Sequence, residues 1–293
     1  MLDPTIAPKY TPEFGTTGEN LDAARSGRHA FISRISTYDG KRYVATTIDL
    51  NKPMSTWKHS EFFGSETIET RADFVAHVEE LAVHFSQRDR FDRQPEDGSS
   101  SRRTPWGTAN QSIRYGEGIV SHSTPSHGGI HLSRRENAKV HPAWRIAGGW
   151  YEEDSDWAIV AFTFPQFFTD YERKHARKTL RRWYTKQYES VTGENVPVEE
   201  SVEKQKNAWL ERAKNHWVVQ AALGSDENPG FVETVARFMS DDGKLQDEER
   251  RYLVATKTYR TRCSNGFIID ENRDALYTGP TGFMTMQHLV KAA

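Results

Sequence analysis

The sequence predicts an α+β protein in which a mixed β-sheet packs against two long helices, beside a small N-terminal α+β unit. Two observations predict this class. Short apolar runs bounded by turn-forming residues, which are typical of strands, recur in both halves of the chain. Longer segments with apolar residues at helical spacing lie between these runs. A chain of 293 residues is long enough to bury one large core or two smaller ones.

The composition restricts the class of protein further. Charged residues make up 27% of the chain and aromatic residues 12%, which is typical of a soluble protein with an aromatic-rich interior. No apolar run approaches the roughly 18 residues of a membrane span, and the first residues lack the features of a signal peptide. We therefore expect a cytoplasmic protein without a membrane partner. The net charge of -2 argues against both a basic nucleic-acid coat and an acidic DNA mimic.

Cys263 is the single cysteine of the chain. A single cysteine excludes an intrachain disulfide and any metal site built from several cysteines. We expect Cys263 to be a free thiol, and a bridge to a second copy of the chain stays open as the alternative.

The pattern of residues divides the chain into four parts. Residues 1–27 combine prolines and glycines without sustained periodicity and predict a flexible N-terminal arm. Residues 28–91 predict the small α+β unit. Residues 92–104 are polar and rich in turn formers, so we interpret them as an exposed linker. The main α+β domain then occupies residues 105–293.

The small unit is predicted from a hairpin and a helix. Asp39 and Gly40 form a turn signal between the runs 31–38 and 42–50, which predicts a β-hairpin. Thr70 is a suitable N-cap for a helix that extends to about residue 88, because the apolar residues that follow recur at helical spacing.

The main domain is predicted from strands on either side of two helices. The nearly continuous apolar run 157–164 predicts a central strand buried on both faces. Helices are predicted over residues 169–191 and 198–223, where Gly224 is a suitable stop. The other predicted strands are 110–115, 118–123, 231–239, 252–260, 267–269 and 275–277.

Four histidines follow one another along the first strands of the main domain: His122, His127, His131 and His141. Imidazole rings bind zinc and transfer protons near neutral pH. Their spacing matches no metal signature, so ordinary hydrogen bonding in loops is the main interpretation and metal binding stays open. Ser123 and Ser126 are near these histidines, but a Gly-x-Ser-x-Gly nucleophile elbow is missing. The sequence therefore assigns no catalytic residue, no metal and no cofactor.

An acidic segment precedes the predicted buried strand and includes Glu152, Glu153, Asp154 and Asp156. A solvated turn that discourages pairing at the sheet edge is one interpretation. A metal site or a general acid is another. The third is a surface for an arginine-rich partner, because aromatic residues ringed by charge are typical of binding hot spots. We choose this third function for the segment, with the aromatic residues Trp150, Tyr151 and Trp157.

A basic segment lies in the first predicted long helix and includes Arg173, Lys174, Arg177, Lys178, Arg181, Arg182 and Lys186. Clustered cations of this kind bind the phosphate backbone of nucleic acid by releasing counterions. An exposed charged helix face is the alternative. We include Arg177 and Arg181 among the candidate partner-binding residues.

Three motifs carry a resemblance to known proteins: Thr-Pro-Trp-Gly at 104–107, Ser-Thr-Pro-Ser-His-Gly-Gly at 123–129, and Gly-Gly-Trp-Tyr-Glu-Glu-Asp at 148–154. Over residues 104–195 the chain resembles a domain of unknown function found in phage and plasmid proteins. In size and organisation it is also similar to the Gabija anti-defence family of phage proteins. That second resemblance implies a binding protein that assembles into oligomers around a nuclease–helicase defence complex in the host cytoplasm and blocks its access to DNA.

The resemblance thus implies a counter-defence protein from a phage or mobile element that inhibits a bacterial defence complex sterically, without being an enzyme. The predicted partner-binding residues are Trp150, Tyr151, Glu152, Glu153, Asp154, Arg177 and Arg181. A metal-dependent or His/carboxylate-dependent hydrolase or nuclease is the first alternative, and a DNA-binding accessory protein is the second. The identity of the partner, the stoichiometry and the binding surface stay open.

Overall fold

The computed structural model describes residues 9–96 and 102–283. The chain divides into two compact units, Met1–Glu194 and Asn195–Ala293. Both units combine helices with antiparallel sheets, so the predicted α+β class is confirmed. Within the described ranges, no helix is both long enough and apolar enough to cross a membrane.

The first sheet of unit 1 is an antiparallel meander of five strands in sequence order. The predicted hairpin around Gly40 is confirmed and forms its third and fourth strands, with φ +68° at Gly40. The strands are β1 (Glu13–Thr16), β2 (Asp22–Ser26), β3 (His29–Ile35), β4 (Arg42–Ile48) and β5 (Phe63–Ile68).

Helix α1 (Arg71–Arg88) covers one face of this sheet and confirms the predicted helix. The Thr70 side chain accepts a hydrogen bond from the amide of Asp73 and so satisfies one of the free N–H groups of the first turn. The helix buries an apolar stripe against β2, β3 and β4, in a cluster formed by Ala24, Phe31, Val44, Phe74, Val78 and Phe85.

The prediction of an N-terminal arm over 1–27 is wrong for the described part, residues 9–27, because these residues contribute β1 and β2 to the sheet. Ala23 and Ala24 are fully buried there. The Arg25 guanidinium donates hydrogen bonds to the carbonyls of Leu50 and Lys52 at 3.0 Å and 2.6 Å. Residues 1–8 lie outside the described residues.

The second sheet of unit 1 has the strand order β12-β11-β10-β9-β6 and is antiparallel throughout. It contains both strands predicted over 110–123. A separate two-stranded hairpin, β7 (Arg103–Thr104) and β8 (Gly107–Thr108), precedes β9. The strands of the sheet are β6 (Gln94–Pro95), β9 (Gln111–Gly116), β10 (Ile119–Ser123), β11 (Gly128–Leu132) and β12 (Trp150–Glu152).

The helices of this part of unit 1 are α2 (Arg134–Asn137), α3 (Trp157–Thr163), α4 (Asp170–Trp183) and α5 (Thr185–Thr192). The prediction of a buried strand over 157–164 is wrong, because this run forms α3. Its residues 158–161 are all buried, and a short apolar run that is buried all round has the same sequence pattern in a helix and in a strand. The single helix predicted over 169–191 is interrupted at Tyr184, which has ψ 36°.

The predicted boundary at 92–104 is also wrong. The described residues on either side of 97–101 contribute β6 and β7, and residues 97–101 lie outside the described residues. Helix α1 packs against α4, so residues 28–91 are part of the same compact unit as the segments that follow them. The division of the chain falls instead after Glu194, within the predicted main domain of 105–293.

Unit 2 contains a four-stranded antiparallel sheet in sequence order. The strand predicted over 231–239 is confirmed. The strand predicted over 252–260 is the end of a longer one, which gives way to a short helix, and the segment 267–269 contributes a bridge between Ile268 and Val218. The elements are α6 (Val202–Ala213), β13 (His216–Gly224), β14 (Phe231–Met239), β15 (Leu245–Ala255), α7 (Thr256–Tyr259) and β16 (Ala275–Leu276).

The helix predicted over 198–223 is wrong beyond residue 213. Helix α6 ends there, Asn215 takes the left-handed conformation with φ +60°, and the chain continues as β13. The apolar stripe used for the prediction is therefore divided between two elements: Trp209 is buried on the helix and Trp217 on the strand. The β-branched pair Val218 and Val219 is the local signal that favours a strand.

Candidate functional site

The strand register gathers polar side chains on one face of the second sheet of unit 1. Side chains alternate between the two faces of a strand, so residues opposite one another across neighbouring strands share a face. The register places Ser112, His122, Gly129 and Glu152 in one row and Arg114, Val120, His131 and Trp150 in the next. We call these two rows the histidine face.

The opposite face of the same sheet is apolar. Ile130, Leu132 and Tyr151 are buried there, and α3 packs against β11 and β12. Because one face is committed to the core, the register of the strands is strongly specified, and so are the members of the histidine face.

Trp106 lies over the histidine face and comes from the turn between β7 and β8, which is the first sequence motif. The Trp106 amide donates a hydrogen bond to Thr104 Oγ1 at 3.2 Å. A side chain at Gly129 would meet the Trp106 ring, because a Cβ there would lie 2.2 Å from it. The rings of Trp106 and Trp150 meet edge to face with centroids 5.9 Å apart. The two tryptophans thus form a half-buried aromatic patch on the sheet.

His122 is buried in the centre of the face. Its Nδ1 lies 2.6 Å from Ser112 Oγ, whereas its Nε2 is buried without a hydrogen-bond partner among the described residues. Burial, together with the positive charge of Arg102 and the neighbouring His131, lowers the pKa of His122 to about 4, against an opposing effect of Glu96. The ring is therefore neutral at neutral pH.

His131 lies beside Trp150, with ring centroids 4.3 Å apart. Burial and the charge of Arg102 lower the pKa of His131 below its ordinary value. The charge of Arg102 thus acts on both imidazole rings, and Arg102 and His131 line the same cavity.

Arg102 and Arg114 differ in their partners. Arg114 Nε donates to Glu96 Oε2 at 2.6 Å, and Glu96 offsets its charge. The Arg102 guanidinium makes no hydrogen bond or ion pair within residues 9–96 and 102–283. Both arginines border a cavity of about 390 Å³, whose lining is Glu96, Arg102, Arg114, Glu117, Gly118, Val120, His131 and Ser133.

A second cluster forms where the loop after β10 meets the turn after β12. One potential ligand atom from each of His127, Glu152 and Asp154 lies within 4.8 Å of the others. The loop is the second sequence motif and is held by Thr124, whose amide and hydroxyl both donate to the carbonyl of His127 at 2.7 Å.

The structure places the predicted partner-binding residues in different environments. Trp150 and Glu152 are half-buried on the histidine face, and Glu153 and Asp154 are exposed in the turn that follows. Tyr151 is fully buried, and its hydroxyl donates to Asn137 Oδ1 at 2.7 Å. The role of surface anchor predicted for Tyr151 is therefore wrong, because its side chain points to the other face of β12.

The two predicted arginines lie on α4 rather than on this sheet. Arg177 and Arg181 both pair with Glu194, at 3.5 Å and 2.9 Å. Arg173 and Lys174 pair with Asp170 and Glu80. Acidic neighbours thus offset much of the positive charge that suggested nucleic-acid contact for this helix.

The remaining residues of the histidine group and of the acidic segment lie outside the histidine face. His141 is exposed, and its Nδ1 accepts a hydrogen bond from the amide of Ala143 at 3.2 Å. Asp156 accepts hydrogen bonds from the amide of Glu152 and the hydroxyl of Tyr184. Ser123 and Ser126 are exposed, and the serine that contacts a histidine is Ser112.

Sequence reasoning missed Ser112, Arg102 and Glu96. The short Gly-Glu-Gly turn signals the hairpin of β9 and β10, but equal distances from that turn would place Ile113 opposite His122, and the register shift after Ile119 brings Ser112 there instead. Arg102 and Glu96 lie within the segment 92–104 that was interpreted as a linker, and no periodicity connects them to the sheet.

Residues 99–214 match the model of a family described as a domain of unknown function, DUF7007. The resemblance to a domain of unknown function is confirmed, over somewhat wider bounds than 104–195, and all three sequence motifs lie inside the match. No curated protein and no solved structure matches the chain. The comparisons therefore name a family for this region and leave the resemblance to the Gabija anti-defence proteins a prediction.

Proposed function

We propose that the histidine face binds a phosphate-bearing ligand of nucleotide size. The observation that carries this proposal is the guanidinium of Arg102, which has no partner among residues 9–96 and 102–283 and lines one cavity with His131 on the face that also carries His122, Trp106 and Trp150. An arginine without an acidic partner at the edge of a cavity is a ready donor for an anion. The geometry of its fork suits the oxygens of a phosphate.

The rest of the face fits the other parts of a nucleotide. Of the two imidazoles, His131 lines the cavity and can contact a ligand there, whereas His122 is buried within the face and supports it from below. Trp106 and Trp150 offer aromatic surface on which a base stacks, as in proteins that bind single-stranded nucleic acid. A cavity of about 390 Å³ is within the usual range for small-ligand sites.

The two carboxylates of the cavity leave Arg102 available. Glu96 is bonded to Arg114, and Glu117 lies 3.8 Å from Arg135. A bound anion therefore meets one arginine that has no hydrogen bond or ion pair among the described residues, and two carboxylates that already have basic neighbours. This arrangement favours a single phosphate over a long polyanion.

Titration of the protein with inorganic phosphate, a nucleoside monophosphate and a short oligothymidylate tests the proposal, with calorimetry as the readout. We expect the nucleoside monophosphate to bind most tightly and Arg102→Ala to weaken its binding by about 10–100-fold, the usual effect of losing a charge-assisted hydrogen bond. Arg103→Ala is the matched control, because Arg103 is the exposed neighbour of Arg102 in β7. Equal losses in the two variants, or no saturable binding, would contradict the proposal.

We propose the counter-defence role as a second candidate function, and the exposed turn after β12 favours it. Glu153 and Asp154 follow an edge strand that also carries Trp150, and this acidic edge is suited to a basic surface on a partner protein. Affinity purification from bacteria that carry defined nuclease–helicase defence systems is the test. Stoichiometric recovery of a defence nuclease by wild type and not by a Trp150→Ala/Glu153→Gln variant supports this role. Recovery by both proteins would show that this surface does not bind the nuclease.

The hydrolase or nuclease alternative stays a prediction as well. It requires turnover of a phosphate ester at the histidine face, which the same preparations reveal when the nucleotide mixtures are analysed for products after incubation.

A further inference from the structure

We infer that His127, Glu152 and Asp154 form a binding site for one divalent transition-metal ion, with zinc as the best-matched ion. The inference does not depend on the proposed binding of phosphate. One potential ligand atom from each of the three residues lies within 4.8 Å of the other two. Two ligands of a tetrahedral zinc ion with bonds of roughly 2.0–2.2 Å lie about 3.3–3.6 Å apart. His127 Nδ1 and Glu152 Oε1 are already 3.6 Å apart, and a rotation of the exposed Asp154 side chain that moves its carboxylate by about 1 Å completes the set.

The carboxylate of Glu152 supplies a second observation. Its Oε2 accepts a hydrogen bond from the amide of Asp154 at 2.7 Å, so the following turn fixes the orientation of the group. Its Oε1 is buried and has no hydrogen-bond partner within the described ranges, and it lies 3.6 Å from His127 Nδ1. A buried carboxylate oxygen without a donor is costly, and a cation between this oxygen and the imidazole nitrogen removes the cost.

The two segments that carry the ligands are fixed to the sheet independently of any ion. The amide of Glu153 donates to the carbonyl of Gly128 at 3.0 Å, which ties the turn after β12 to the start of β11. The Glu153 side chain occupies the space where a Cβ at Gly128 would lie, at 2.5 Å. Thr124 fixes the His127 backbone as described above. The ligands are thus held before the ion arrives, which favours affinity.

The donor set selects among metals. One imidazole nitrogen with two carboxylate oxygens suits zinc and, second, manganese, whereas magnesium and calcium prefer oxygen ligands alone. Three protein ligands also leave a coordination position open. Because His127 and Asp154 are exposed, that position is accessible to water or to an anionic ligand.

The experiment is titration of the full chain, after dialysis against a chelator, with ZnCl2, MnCl2 and MgCl2 by calorimetry. We expect one zinc ion per chain with a Kd of about 10 µM or lower, weaker binding of manganese, and little binding of magnesium. His127→Ala and Asp154→Asn each weaken zinc binding by at least about tenfold. Both residues are exposed, so neither substitution is expected to unfold the chain, and circular dichroism verifies this.

His141→Ala and Glu153→Gln are the matched controls: an exposed histidine outside the cluster and the carboxylate next to it. We expect both to bind zinc as wild type does. Cobalt substitution provides an independent readout, because visible absorption bands of the bound ion should be lost in His127→Ala and kept in His141→Ala. Zinc affinity that is equal in all four variants, or absent at about 100 µM zinc, overturns the inference.

Discussion

Oγ1 of Thr169 lies 2.8 Å from Nδ1 of His84, and this buried contact joins the start of α4 to α1. The same hydroxyl accepts a hydrogen bond from the amide of Glu172 and caps α4. Burial lowers the pKa of His84, so the ring is neutral and its Nδ1 can donate or accept. One side chain therefore both begins a helix and holds together the two segments that the sequence had assigned to separate domains.

Thr169→Ala is expected to destabilise the protein more than Thr70→Ala. Both changes remove an N-cap, which costs about 1 kcal/mol. The change at Thr169 also leaves a buried imidazole nitrogen without its partner, which adds about 1–3 kcal/mol. Urea denaturation of both variants measures the difference, and Thr169→Ser should recover most of the loss. Equal losses at the two caps would show that the contact with His84 contributes nothing.

Ser112→Ala is expected to reduce the free energy of unfolding by about 1–3 kcal/mol, because it removes the partner of His122 Nδ1. Ser123→Ala, at the exposed position directly after His122, is the control and should change stability by no more than about 0.5 kcal/mol. Denaturant unfolding at pH 7.5 measures both. A Ser112→Ala variant as stable as the control would mean that the imidazole finds another partner.

The pKa of His122 predicts how stability depends on pH. Its pKa is lowered from 6.5 to about 4 in the folded chain, so the unfolded chain binds the proton more readily. The contribution of the neutral ring is fully present above pH 6.5 and is lost as the pH falls towards 4, by about 3 kcal/mol at most. Unfolding curves measured at several pH values should show a smaller loss in His122→Gln than in wild type. Parallel pH profiles would refute this, since Arg102, His131 and Glu96 are present in both proteins.

Gly129→Ala is expected to be strongly destabilising, by about 1–3 kcal/mol or more. The added methyl group would lie 2.2 Å from the Trp106 ring and 2.3 Å from the carbonyl oxygen of Tyr151. We expect Trp106 to leave the face, with a red shift of tryptophan fluorescence. Gly224→Ala is the control, because no atom lies within 4 Å of the added group. A variant that keeps both the stability and the emission of wild type would place Trp106 elsewhere.

The parts of the fold that the sequence predicted are those with strong local signals. The Asp39-Gly40 turn and the Thr70 cap act within a few residues, and both are confirmed. The run 157–164 and the segment around Trp217 were assigned wrongly, because tertiary burial decides between helix and strand for short apolar runs. The prolines and glycines near the N-terminus indicated turns, but not the sheet that those turns connect.

The candidate site was predictable only in part for the same reason. His122 and His131 were recognised as residue types, but their common face follows from the pairing of β10 with β11. Arg102 comes to that face from a segment with no periodic pattern. The sequence alone does not show that the Tyr151 side chain points to the core while those of Trp150 and Glu152 point to the histidine face.

The pairing of β9 with β10 changes register between Ile119 and Val120, where Gly116 is opposite Ile119 but Arg114 is opposite Val120. One extra residue in β9 thus determines which face of the sheet the β9 residues on the far side of it point to. Regular pairing without this irregularity would bring Ile113 rather than Ser112 opposite His122 and turn Ser112 towards the apolar interior. The chemistry of this surface therefore depends on the number of residues in β9 as much as on their identity. A small insertion or deletion near the turn can change the pairing of the two strands, so a related chain could keep every histidine and still lose this surface.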